Sequence, residues 1–314
     1  MLPTAPKITI GLPVRQGEAF LRKAVDSILA QTFEDFELVI CDNASTDATP
    51  TLCADFARRD SRVRVFRSDR NLGAAPNFNV ALREARGTYF RWHAHDDLVL
   101  PTHLERCNEV LDSRPEVVLC HTRVEVIDAA GEHLYYYRYG PRTDSPLPRR
   151  RFRDLLFVRN HCYEVFGLIR TAVLRETGWM GAFPVGDRVL LSELAFRGRF
   201  HEIQEPLFLS RDHEHRSVRV HVSQQERASW FDSRYEGRIT LPEWRTLAEY
   251  WKAIRRAPLS RADRLACELY MLDWIRHYRK RMRHDVAVAA AGLGTRLVHH
   301  ALRPPRRDPM ESSS

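Results

Sequence analysis

Over the first hundred residues, short continuous apolar runs alternate with stretches in which apolar residues recur at helical spacing. Ile8-Thr9-Ile10-Gly11-Leu12-Pro13-Val14 reads as a buried strand. Leu21, Ala24, Val25, Ile28 and Leu29 then mark one face of a helix. Phe36-Glu37-Leu38-Val39-Ile40-Cys41 is a second strand. The polar cluster after it, Asp42-Asn43-Ala44-Ser45-Thr46-Asp47, turns the chain and caps a helix beginning near Thr49-Pro50. Val63-Arg64-Val65-Phe66 is a third strand, and Asn71-Leu72-Gly73 leads into a helix over residues 77–85. Thr88-Tyr89-Phe90-Arg91-Trp92 is a fourth strand. Strand and helix alternating at this pitch predict an α/β fold: a mainly parallel sheet with helices on both faces.

Farther on, residues 117–121 and 124–127 continue the sheet as two strands, with a turn over 128–131. Residues 138–153, rich in Arg and Pro, are expected to form a mobile loop. From about Gln224 the pattern becomes helical and Arg-rich, with tryptophans at 230, 244, 251 and 274. Leu265, Leu269, Leu272 and Ile275 form an apolar stripe there. The expected organisation is an α/β unit over 1–222, a helical extension over 223–303 and a disordered tail over 304–314.

A length of 314 residues allows one large domain and a smaller appendage. The formal charge of +8 points to an anionic partner. Charge is the one argument for nucleic acid, because no helix-turn-helix or RNA-binding motif accompanies it. Cys41, Cys53, Cys107, Cys120, Cys162 and Cys267 lack metal-type spacing and are expected to be reduced and buried. The N-terminus has no signal-peptide core, and no apolar run has the length of a membrane span. A cytoplasmic place is therefore expected.

The stretch Trp92-His93-Ala94-His95-Asp96-Asp97-Leu98-Val99-Leu100-Pro101 carries the strongest chemical signal. Asp96 and Asp97 follow a buried strand, at the edge where α/β sheets bind ligands. Carboxylates there can hold a hard divalent cation, which in turn holds a diphosphate, or they can simply cap a turn. Asp42 ends the second strand on the same edge, where it could accept hydrogen bonds from a nucleobase or close an Asx-turn.

Together with Ala24-Val25-Asp26-Ser27-Ile28-Leu29-Ala30-Gln31-Thr32, these segments resemble, in order, family 2 glycosyltransferases over roughly residues 7–220. The resemblance implies the GT-A fold, with a nucleotide-binding half at about 7–101 and an acceptor half at about 102–222. It also implies a nucleotide-sugar donor (a UDP- or dTDP-sugar favoured), a divalent metal, Mn²⁺ or Mg²⁺, and inversion at the anomeric carbon. Carried onto this chain, it assigns donor binding to Pro13, Arg15, Asp42, Asn71, Asp96 and Asp97, and metal binding to Asp96 and His213. Asp187, after Gly186, becomes the base that deprotonates an acceptor hydroxyl, against the plainer reading of a helix cap. Two acidic positions of the family pattern fall on Ala94 and Gly186, and the usual Tyr-Asn pair on Arg15-Gln16. His93 or His95 is a candidate substitute at the first of these. The acceptor would be a glycan or lipid-linked, with its contacts expected from loops at roughly 133–165.

Other classes stay open at this point. A metallohydrolase would use His93, His95 and Asp97 as His-x-His-x-Asp, though Leu98 stands where a further His belongs. A scaffold would keep the nucleotide-sugar fold without turnover. The tryptophan- and arginine-rich helices could bind the inner face of an anionic membrane, pack on the domain or form a homodimer.

Overall fold

The computed structural model describes residues 5–220, 224–236, 238 and 240–301. Four parallel strands, β1 (Ile8–Val14), β2 (Phe36–Asp42), β3 (Val63–Arg67) and β4 (Tyr89–Trp92), alternate with helices α1 (Leu21–Leu29), α2 (Thr49–Arg59) and α3 (Ala74–Arg83). β1 lies between β2 and β4, with Ile8 opposite both Phe36 and Tyr89. β3 adds outside β2. Every residue of β1, β2 and β4 is buried, as strands covered on both faces must be. Because these strands share a direction, Val14, Asp42, Arg67 and Trp92 end at one edge of the sheet.

Beyond β4 the sheet becomes mixed. β5 (Leu98–Val99) and α4 (His103–Ser113) lead to β6 (Val117–Ile127), a single strand of 11 residues where two were expected. β7 (His133–Tyr137), α5 (Pro148–Phe157), a 3₁₀ turn at Tyr163–Phe166, β8 (Leu168–Arg170), α6 (Thr171–Arg175), α7 (Gly186–Arg197) and β9 (Arg199–Arg211) follow. The strand order is β3-β2-β1-β4-β8-β6-β9-β5, with β7 against β6. β8 is antiparallel to both β4 and β6, whereas β9 runs parallel to β6 and antiparallel to β5. β9 therefore returns the chain to the edge where Asp42 and Trp92 end.

The loop expected over 138–153 gives way at Pro148 to α5. Proline suits the first turn of a helix, where its missing N–H is no loss. Phe152, Leu155 and Leu156 are buried. The high arginine content concealed this helix, because Arg151 is itself internal and donates to the carbonyls of Ala195 and Ser145 at 2.6 Å each.

The C-terminal part comprises α8 (Ser217–Val220), α9 (Gln224–Phe231), a 3₁₀ turn at Ser233–Tyr235, α10 (Pro242–Arg256) and α11 (Arg261–Ala301). Tyr250, Ile254, Met271 and Trp274 share one core with Phe152, Leu156, Val189 and Phe196, so α10 and α11 are packed onto α5 and α7. The apolar stripe on α11 is divided. Ile275 packs against this core, but Leu265, Leu269 and Leu272 are 59%, 53% and 47% exposed. The buried seam runs instead through Cys267, Met271, Trp274 and Met282. All six cysteines are buried and free. Among the described residues no helix is long and apolar enough to cross a membrane. The tail over 304–314 lies outside the described residues.

The two faces of α11 should respond differently to truncation. Trp274→Ala is expected to destabilise the fold by about 3–5 kcal/mol, and Leu269→Ala by no more than about 0.5 kcal/mol. Urea denaturation checks this; equal losses would contradict the packing described.

Candidate functional site

The carboxylate loop is built by strand pairing. Asp96 and Asp97 immediately precede β5, and Leu98 and Val99 pair with Leu209 and Phe208 of β9. That pairing places the residues after β9 beside the loop, and His213 Nε2 lies 2.9 Å from Asp96 Oδ2. The imidazole is fixed by Phe20, with ring centroids 4.7 Å apart. Arg211 secures the backbone: its N–H donates to Asp97 Oδ1 at 2.8 Å and its Nε to the Asp96 carbonyl at 2.9 Å. Its Nη1 donates to the carbonyls of Asp128 and Ala129.

The two adjacent carboxyls titrate apart. Burial alone would push Asp96 up, but the charge of His95 and the hydrogen bond and charge of His213 outweigh it and hold the group well below the usual range. Burial, followed by the charge of Asp96, pushes Asp97 up. Two like charges so close cannot both ionise freely, and the one beside His95 and His213 keeps its charge. Asp97 thus ties β9 to the loop, while Asp96 is the ionised group.

One ionised carboxylate beside an imidazole fits a divalent cation such as Mn²⁺ or Mg²⁺. Among the described residues no group of three His, Cys, Asp or Glu side chains converges. Two protein ligands would leave further positions open on such a cation, as is usual for Mg²⁺ at phosphate sites. His93 does not belong to this set. It is fully buried, with Nδ1 3.3 Å from Arg91 Nη2 and Nε2 3.1 Å from the Asp97 carbonyl, and burial pushes it down to about 3. This removes the His93/His95/Asp97 metallohydrolase reading, and of His93 and His95 it leaves His95 as the candidate substitute near Asp96.

At the end of β2, Asp42 is buried. Its Oδ1 accepts from the N–H of Ser45 at 3.0 Å, and Oδ2 lies 3.3 Å from Arg67 Nε without an aligned hydrogen bond. One oxygen thus closes the Asx-turn, while the other is buried beside Arg67 with no hydrogen bond. Asn71 has a local job. Its Oδ1 accepts from Asn43 Nδ2 and from the N–H of Gly73, both at 3.0 Å, while Asn43 Oδ1 accepts from Leu72. Pro13 is buried in β1 opposite Cys41, and Arg15 is exposed at the same edge.

Asp187 lies in the first turn of α7, and its Oδ1 accepts from the N–H of Arg188 at 2.7 Å. Burial raises its carboxyl despite that bond and the charges of Arg188 and Arg227. Gly186 cannot carry the acid of the family pattern, since a Cβ there would lie 2.2 Å from the Gly181 carbonyl oxygen. Nearby, Glu164 is fully buried with both carboxylate oxygens lacking a hydrogen-bond partner, and burial pushes it up to about 7. Arg216 links this region to the carboxylate loop: its Nη2 donates to the Tyr163 hydroxyl at 3.3 Å and to Ser210 Oγ at 3.1 Å, and its charge reaches Asp97 and Asp96. Asp96 and His213 are in contact, whereas Asp187 is not paired with either; its charge reaches Glu164, the residue after the Tyr163 that accepts from Arg216. The sequence assigned no role to Asn43, Glu164, Arg211 or Arg216. A lone acid inside the apolar run Tyr163-Glu164-Val165-Phe166 was the available signal for Glu164.

Glu164 gives a pH signature. Its folded value lies above the ordinary 4.5, so stability is fully present at acid pH and falls as pH rises from about 4.5 through about 7. Glu164→Gln should therefore be more stable than wild type at pH 8, by up to about 3 kcal/mol, with the advantage vanishing at pH 4. Thermal denaturation at both pH values reads this out, and an advantage that is independent of pH would count against it.

A family model described as glycosyl transferase family 2 matches residues 9–178. An uncharacterized glycosyltransferase of Rickettsia typhi is 30% identical over 137 residues, covering 43% of this chain and 41% of that protein. The putative glycosyltransferase EpsE of Bacillus subtilis is 30% identical over 129 residues, covering 41% and 46%. The match thus spans less than half the length of these curated relatives. Among solved structures, S. aureus TarS 1–349 in complex with UDP-GlcNAc superposes with a TM-score of 0.64 at 15% identity, covering 91% of this chain and 81% of that one. Mannosyltransferase PcManGT from Pyrobaculum calidifontis, in complex with GDP-Man and Mn²⁺, gives 0.53 at 18% identity, covering 96% and 81%. These likenesses show the GT-A fold. With the family model spanning more than half of its length, the chain belongs to glycosyl transferase family 2.

Proposed function

We propose that the protein transfers a sugar from a nucleoside-diphosphate donor to an acceptor hydroxyl, with inversion, in the synthesis of a polysaccharide or glycoconjugate. The observation that carries this reading is the Asp96–His213 pair at 2.9 Å, on the sheet edge where Asp42 also ends. Asp42 Oδ2 accepts from the base of the nucleotide, with Pro13 against that pocket and Arg15 at its rim. Asp96 and His213 would hold Mn²⁺ or Mg²⁺. A cation bound there supplies positive charge against the departing diphosphate. Asp187 takes the proton of the acceptor hydroxyl as its oxygen attacks the anomeric carbon; the C–O bond to the diphosphate breaks, and no covalent enzyme intermediate is needed. Neighbouring structures with UDP-GlcNAc or with GDP-Man and Mn²⁺ support the donor class and the metal.

The place of action in this reading is the inner face of a membrane. Leu265, Leu269 and Leu272 are exposed in a row on α11, and Arg276, Arg279 and Arg283 continue the same helical face, all exposed. An apolar row followed by arginines suits an anionic bilayer surface.

Calorimetry with UDP, dTDP and GDP, with and without Mn²⁺, tests the donor site. Manganese-dependent binding of one nucleotide is expected, and Asp96→Ala should abolish it. No binding of any of the three would move the scaffold reading ahead. Asp187→Asn should keep nucleotide binding and lower turnover by about 10²–10⁴. The acid limb of the wild-type rate profile should lie above the ordinary aspartate range, since burial raises this carboxyl. For the membrane contact, anionic vesicles should co-sediment the protein at low salt and release it at high salt, with Leu269→Asp failing to bind. A concentration-dependent dimer, disrupted by the same change and indifferent to vesicles, would assign the face to self-association instead.

A further inference from the structure

A cleft of about 470 Å³ is walled in part by the bend that leads into α7, and it takes no part in the chemistry above. Such a volume lies within the range of ligand pockets, about 300–1,000 Å³. One wall is the bend Ala182-Phe183-Pro184, and the other walls come from Ala228 of α9, Tyr235, and Leu241 to Arg245 at the start of α10. The bend is joined to the acceptor side directly. The N–H of Gly186 donates to the Phe183 carbonyl at 3.0 Å, and Asp187 follows in the first turn of α7. Arg227, whose charge reaches Asp187, precedes the cleft-lining Ala228. Val185 adopts φ +62°. A β-branched residue is rarely left-handed, and such strain gathers at functional sites.

The lining indicates the ligand class. Phe183, Pro184, Ala228, Leu241, Pro242 and Trp244 are apolar, and Leu241 and Trp244 remain exposed. The polar side chains of the lining are Thr240, Tyr235 and Arg245, few for the many hydroxyls of a glycan against this apolar wall. The cation is Arg245, with its guanidinium 5.2 Å from the Phe183 ring centre and 4.9 Å from that of Tyr235, donating to the Tyr235 hydroxyl. Among the described residues no carboxylate pairs with Arg245. Asp232, which feels its charge, is taken by Arg234 through both oxygens. A cation held at the edge of an apolar cleft matches an anion attached to an apolar chain.

We infer that this cleft seats the phosphate and apolar chain of a lipid-linked acceptor, with Arg245 on the phosphate and Phe183, Leu241 and Trp244 against the chain. The inference rests on the reading of Asp187 as the acceptor-side base, because the cleft and Asp187 share the bend that precedes α7. It places acceptor recognition on the 182–184 bend and the start of α10, rather than only on the loops at roughly 133–165.

Farnesyl phosphate, a short water-dispersible prenyl phosphate, is a suitable calorimetric probe of the full chain. Inorganic phosphate and maltotriose serve as separate arms. Wild type is expected to bind farnesyl phosphate much more tightly than inorganic phosphate and to ignore maltotriose. Arg245→Gln should weaken binding by about tenfold or more. Leu241→Glu, a change at the exposed rim that needs no repacking, should do the same. Neither variant should alter Mn²⁺-dependent nucleotide binding. Equal binding of inorganic phosphate would reduce the cleft to an anion site and overturn the lipid. Maltotriose binding lost in Leu241→Glu would make it a glycan site. Nucleotide binding without farnesyl phosphate binding sinks this inference alone. Farnesyl phosphate binding by a chain that takes no nucleotide overturns the acceptor role and the proposed reaction together.

Discussion

Arg211 holds the site together. Its guanidinium is buried and donates to three backbone carbonyls, those of Asp96, Asp128 and Ala129, while its own N–H holds the Asp97 carboxyl. Hydrogen bonds from a charged donor contribute about 1.5–3 kcal/mol each, and a buried cation deprived of them is strongly destabilising. The end of β9, the carboxylate loop and the turn after β6 are therefore held as one unit. His213 stands two residues beyond Arg211, and its aim at Asp96 is set by that anchor together with the Phe20 ring.

The same unit separates the roles of two neighbouring carboxyls. Asp96 faces His213 and stays ionised, whereas Asp97 turns inward onto the β9 backbone. A pair that reads in the sequence as two equivalent acids is in the fold one charge and one strut. With Ala94 in place of the acid of the family pattern, the Asp96–His213 pair offers one oxygen and one nitrogen donor. Gly186 is imposed by the Gly181 carbonyl, so its departure from the family pattern follows from how the bend before α7 packs.

What was legible in the chain was local. β1 to β4 and their helices announce themselves through short apolar runs and 3.6-residue spacing, and the edge that carries Asp42 and Asp96 follows from their common direction. The order of motifs carried the family. Long-range pairing was not legible: nothing near Asp96 specifies that β9 will pair with β5, so His213 rested on resemblance alone. α5 was concealed because an arginine can be internal when carbonyls receive it, as Arg151 shows. The α11 stripe misled in the opposite way, since helical spacing finds an apolar face without saying what covers it. Leu269 and Trp274 follow the same periodicity and face opposite surroundings.

The Asp96–His213 contact joins residues 117 positions apart. Contacts of such separation form after the intervening chain has ordered, because loop closure comes before its reward. During synthesis the first four strands leave the ribosome with their carboxylate loop still lacking Arg211 and His213. Domains are made from the N-terminus onward, so the nascent chain exposes a half-built sheet whose β4 edge has no neighbour until β8 arrives. The edge of β4 is thus the surface that a chaperone or a second nascent chain would meet first, and the Asp96–His213 contact forms only after the last strand of the sheet is made.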